Sequence, residues 1–108
     1  MTYQAFKGIL GTIGLPYTYR SFPIGNVPEL PYFVFYFPSS DDFGADNINY
    51  VRIDNVNIEL YTENKDFETE KQVETIFTQN GFYFDKSETY IQQEEMYEVL
   101  YTIQIITE

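Results

Sequence analysis

The sequence predicts an α+β two-layer sandwich: a mostly antiparallel sheet with two helices on one face, in the order α-β-β-β-α-β-β. Three observations lead there. Residues 2–14 and 66–80 place apolar side chains at three- and four-residue spacing, the signature of a helix with one buried stripe. The segments around them are rich in Tyr, Phe, Val and Ile, and several alternate with period two, as half-buried strands do. The gaps between most strands are of hairpin length, which joins antiparallel neighbours, and an apolar helix stripe must be buried against such a sheet.

The first helix is expected over 2–14. Thr2 can cap it, and Tyr3, Phe6, Leu10 and Ile13 form its stripe. Gly8, Gly11 and Gly14 lower its propensity, so packing must hold it. Leu15-Pro16 ends it, and Tyr17 to Phe22 reads as a short strand. Pro23, Gly25, Pro28 and Pro31 then make an irregular connection. Tyr32 to Phe37 is a run of six bulky β-formers without a charge, expected to be buried on both faces or on one face plus a subunit contact. The strand is expected to stop at Pro38 and open into an acidic loop, Ser39-Ser40-Asp41-Asp42-Phe43-Gly44-Ala45-Asp46.

Asn49 to Tyr61 reads as a long strand with a phase change. Val51 and Ile53 have one parity, and Val56, Ile58 and Leu60 the other. Because side chains alternate strictly along a strand, a β-bulge or turn near Asp54-Asn55 is expected to restore the register. The second helix, 66–80, is the clearer one. Asp66 caps it, Glu68 and Glu70 lie in the first turn where the dipole favours acids, and Asn80-Gly81 supplies the stop. A strand is expected to start at 82–84 and resume over 87–91. Gln92 to Glu95 turns the chain into a final strand with Tyr97, Val99, Tyr101, Ile103 and Ile105 on one side.

Composition narrows the function. A chain of 108 residues is one domain with room for a core. It has no run long enough for a membrane span and no basic-then-apolar leader at its start, so a soluble cytoplasmic product is expected. There is no Cys and no His, which removes disulfides, thiolate chemistry, the commonest general base and the commonest transition-metal ligand. Six Lys and Arg against 17 Asp and Glu give a net charge of −11, which repels nucleic acid rather than gripping it and keeps a small domain dispersed. Eleven Tyr and ten Phe, with no Trp, favour sheets and interfaces. Phe6, Phe33, Phe35, Phe77 and Phe82 read as core. Tyr17, Tyr19, Tyr50, Tyr83, Tyr90 and Tyr97 exceed what one covered sheet face should hide, which points to a second interface or to core and edge packing.

The search for catalytic groups comes back empty. Asp41, Asp42 and Asp46 lack the alternate spacing, central Gly and closing Glu of a calcium loop and read as a solvated turn. The adjacent Glu94 and Glu95 point in different directions, which does not suit an acid–base pair. Gly8 to Gly14 has neither a preceding strand nor the Lys-Ser/Thr ending of a phosphate loop. Phe43 stands out differently. A lone bulky residue among small acidic ones needs somewhere to bury, so Ser39, Ser40, Asp41, Asp42, Phe43, Gly44 and Asp46 are expected to meet a neighbouring subunit.

Several segments carry a resemblance: Leu30–Tyr36 (LPYFVFY), Pro38–Asp46 (PSSDDFGAD), Val56–Asp66 (VNIELYTENKD), Tyr83–Ile91 (YFDKSETYI) and Met96–Tyr101 (MYEVLY). Together, and in this order, they resemble small tail and neck proteins of long-tailed phages and prophages of Gram-positive bacteria. The resemblance implies a single tail-terminator-like domain over 1–108. Such a protein caps the head-proximal end of the tail tube as a ring, usually of six. It joins the tube to the head–tail connector or stopper protein and abuts the major tail tube protein. DNA passes through its lumen without tight binding, and it has no enzymatic activity, cofactor or membrane partner. It resides in the virion, and in the host cytoplasm during assembly. A globule of this size has a radius of gyration of about 13 Å and a diameter near ~34 Å, so six in a ring leave a hole wide enough for a duplex. The competing readings are a head-completion or stopper protein and a small acidic DNA-mimic inhibitor. A mimic should space its carboxylates along one exposed face.

Overall fold

A computed structural model of the chain describes residues 1–45 and 48–107, with the side chains of Phe43, Ala45, Ile48, Asn49 and Tyr50 left aside. Helix α1 spans Tyr3–Gly11, strand β1 Tyr17–Tyr19, β2 Tyr32–Ser40, β3 Phe43–Ala45 and β4 Ile48–Thr62. Helix α2 spans Phe67–Gln79, followed by β5 Phe84–Ile91 and β6 Met96–Thr107. The strands pair in the order β1-β2-β4-β6-β5, with β3 pairing β4 beyond the main path. All pairings are antiparallel except β1 with β2, whose parallel arrangement needs the long connection 20–31. The fold is α+β, as the periodicities imply.

Each helix covers half of one sheet face. Phe6 of α1 meets Phe35 of β2 at 6.1 Å between ring centroids, and Phe77 of α2 meets Tyr101 of β6 at 5.4 Å. Between them, Val56, Ile58, Leu60 and Val99 are fully buried, and all belong to a single core. The helix termini follow the sequence closely. Thr2 Oγ1 accepts the Ala5 amide at 3.0 Å, and Asp66 Oδ1 accepts the Thr69 amide at 3.0 Å. Gly81 takes φ +73°, a conformation that glycine adopts without a Cβ penalty. The first helix is shorter than 2–14, since the chain leaves the helix at Thr12. The strand expected over 17–22 stops at Tyr19, and Arg20 adopts φ +68°.

Two expectations about strands are corrected. β4 carries no bulge at Asp54-Asn55; it pairs with β6 without a break from Arg52↔Thr107 to Thr62↔Tyr97. The two parities simply face opposite ways. Val56, Ile58 and Leu60 face the helices, while Val51 and Ile53 share the other parity and lie on the uncovered face. The position that would extend the buried stripe, Asp54, is 3% exposed and polar, which disguises the continuity. Its carboxylate accepts from Tyr3 Oη at 2.9 Å and Thr107 Oγ1 at 2.7 Å.

One irregularity lies instead in β2, and a second where β3 pairs β4. Tyr36 pairs with Asn57 but Ser39 pairs with Asn55, so Phe37 and Pro38 oppose Val56 alone. That is where a proline fits within a strand, because a bulge leaves a residue outside the ladder. The Phe37 amide finds Tyr19 Oη at 3.3 Å. β2 therefore continues past Pro38 to Ser40, and most of the segment expected as a loop forms a hairpin arm with β3 and the start of β4.

Candidate assembly surface

The arm is built by its acidic residues. Asp41 donates its backbone amide to the Ile53 carbonyl at 2.8 Å, and its Oδ2 accepts from Asn55 Nδ2 at 2.8 Å and Gln104 Nε2 at 3.2 Å. Asp42 Oδ1 accepts the Ile53 amide at 3.2 Å, and its Oδ2 lies 3.9 Å from Arg52. Ser39 Oγ accepts from the same Asn55 amide group at 2.9 Å. Ser40 ends β2 opposite Asp54, and Phe43 and Gly44 pair through their backbones with Val51 and Asn49. Asp46 and the side chain of Phe43 lie outside the described residues. The six described positions among those singled out from sequence thus fall on one arm, and their acids shape it.

Two further surfaces flank the arm. The uncovered sheet face carries a ladder of neutral amides and hydroxyls around Glu59. Glu59 accepts from Tyr36 Oη at 3.0 Å and Tyr61 Oη at 2.7 Å, and Asn57 bridges Tyr36 and Thr102. Burial, then repulsion from Glu59, pushes the Glu98 carboxyl on this face above the usual range. At its far end the face is partly roofed by the 20–31 segment, where Phe22 stands edge-on to Tyr32 at 5.2 Å. This connection, featureless in sequence, helps bury Val34, which is 4% exposed.

The second surface is a groove of about 570 Å³ between α1 and the free edge of β1, lined by Tyr3, Lys7, Tyr17, Tyr19, Phe35 and Phe37. Here the surplus of tyrosine divides. Tyr17 is stacked on Phe33 at 5.1 Å and half-buried. Tyr19 is 51% exposed, while Tyr83 and Tyr90 stand out elsewhere on the surface and Tyr50 lies outside the described side chains. Sequence reasoning named Tyr17 and Tyr19 but missed Tyr3 and Phe37, which read as members of a helix stripe and a buried strand.

Several of the remaining carboxylates are spent on the fold. Glu70, Glu74 and Glu88 share Lys65 and Lys86 in one network between α2 and β5, Asp54 is buried, and Asp66 caps α2. Glu94 and Glu95 sit in the β5–β6 turn. Among the described residues, no group of three or more Asp or Glu is arranged to hold a metal ion, and no helix is long and apolar enough to cross a membrane.

No family model and no curated protein matches the chain. A solved structure does. A chain in the virion of a native gene transfer agent particle superposes with a TM-score of 0.60 over 92% of this chain and 81% of that one, at 13% identity. At that identity the likeness is one of fold.

Proposed function

We propose that the chain is a structural virion protein, a tail terminator that caps the head-proximal end of a phage tail tube as a ring of six and joins it to the head–tail connector. The observation that carries the reading is the agreement of two independent likenesses. The sequence resembles tail and neck proteins along most of its length, and the fold is shared with a chain of a virion particle. The molecule has the parts that a ring requires: a hairpin arm and an aromatic groove, two unlike surfaces that can meet head to tail. Its charge of −11 suits a lumen through which DNA slides without sticking.

In this reading the arm is the subunit contact and Phe43 its apolar anchor. Phe43→Ala is expected to leave the melting temperature of the monomer nearly unchanged and to lower ring or tail assembly. A large loss of monomer stability with assembly intact would make Phe43 an ordinary core residue and remove the arm from the interface.

A further inference from the structure

We propose that the groove between α1 and β1 receives the acidic arm, residues 38–45, of a second copy of this chain. The inference rests on the ring reading and names the acceptor that the reading leaves open. The groove has the composition of a contact waiting for a partner. Tyr3 stands edge-on to Phe37 at 5.3 Å and Tyr19 edge-on to Phe35 at 5.2 Å, yet Tyr3 and Tyr19 are 42% and 51% exposed. Rings fixed in place by neighbours and open on one side lose little freedom when covered, which is why tyrosine is enriched at interfaces. β1, only three residues long, leaves this edge of the sheet without further cover.

Charge identifies the occupant. The chain has six cations, and Arg52, Lys65 and Lys86 are held in ion pairs. Lys7, on the rim of the groove, is exposed and forms no ion pair among the described residues. The arm carries the complement. Among the described residues the exposed Asp41 carboxylate is bonded only to the neutral amides of Asn55 and Gln104, so no cation there cancels its charge. An apolar residue preceded by two acids, Asp41-Asp42-Phe43, matches an aromatic trough with a cation on its rim. The covered rings supply the affinity, while the Lys7–Asp41 attraction sets which partner binds and in which register. Because arm and groove are different surfaces, each subunit gives one and receives one, a head-to-tail contact that forms a ring when its rotation closes.

Charge reversal tests this by sedimentation of the full chain over a concentration series. Lys7→Glu is expected to weaken self-association by about tenfold or more. Lys71→Glu, an exposed site on α2 with the same change in net charge, should leave it close to wild type. Asp41→Lys should weaken association as Lys7→Glu does. An equimolar mixture of these two variants should assemble again, since a ring that alternates them pairs a lysine with an acid at every joint. Half of those joints keep the native sense, and the other half carry the same two charges exchanged between groove and arm. Association of Lys7→Glu as tight as wild type, equal losses with Lys7→Glu and Lys71→Glu, or a mixture that fails to recover would overturn the groove as acceptor and leave the ring reading standing. A wild-type chain that stays monomeric up to millimolar concentration would overturn the ring reading and this inference together.

Discussion

Glu70 is 1% exposed and divides its carboxylate between Lys65 at 2.6 Å and Lys86 at 2.8 Å. Lys86 also reaches Glu74 at 2.7 Å, and Glu74 accepts from Tyr101 Oη at 2.7 Å, so the network ties α2 to both β5 and β6. Burial alone would raise the Glu70 carboxyl, but the hydrogen bond from Lys65 and the ion pair with Lys86 outweigh it and hold the group below its ordinary 4.5. A depressed carboxyl contributes stability above its unfolded value, and that contribution is lost as pH falls through the folded value. Glu70→Gln is therefore expected to cost on the order of 2 kcal/mol at pH 7, less than a fully buried broken pair because both lysines can turn toward water. Urea melts at several pH values check it: the deficit of the variant should shrink as the pH drops below 4.5. Glu98 has the opposite sign. Its raised carboxyl makes ionisation a cost to the folded state, so Glu98→Gln should stabilise the protein at pH 7, a gain that fades as pH falls through the folded value and is gone well below 4.5, where the native side chain is neutral in both states. A variant with the same gain at pH 3.5 would show that packing, not charge, had changed.

Among the elements, α2 is the most legible in the sequence, because its signals are local: an acceptor at the cap, acids in the first turn and Asn80-Gly81 at the stop. Asp66→Ala is expected to cost about 1 kcal/mol by orphaning the Thr69 amide, with Asp66→Ser recovering most of it, as chemical denaturation would show. β4 is legible in extent but not in phase. A buried aspartate breaks the apolar alternation, and only its partners on α1 and β6, distant in sequence, reveal that Asp54 belongs to the covered face. Pro38 misleads for a related reason. Proline ends strands in general, yet at a bulge its missing amide costs the ladder nothing, and the residue that compensates the neighbouring Phe37 amide, Tyr19, lies on another strand. The arm residues are legible as a group from composition. The groove is not, because it exists only where α1 passes over β1 and β2.

The whole molecule is longer than a sphere of its size. The radius of gyration is 15.0 Å rather than the ~13 Å of a compact globule, and the extents are 50 × 29 × 23 Å. The 15-residue β4 accounts for the length. Six such bodies standing side by side across their shorter axes leave a central opening of about one subunit width, roughly 23–29 Å. Six chains at −11 each bring −66 together, so closure must overcome considerable like-charge repulsion. Aromatic contacts have to supply the association energy, and added salt, by screening the repulsion, should favour assembly. The most direct measurement is sedimentation velocity of the purified chain across a concentration and salt series. The account predicts a 12.8 kDa monomer at low salt giving way to a species of six times that mass, about 77 kDa, as ionic strength and concentration rise. Dissociation on adding salt, or nanomolar binding to duplex DNA at physiological salt, would contradict it.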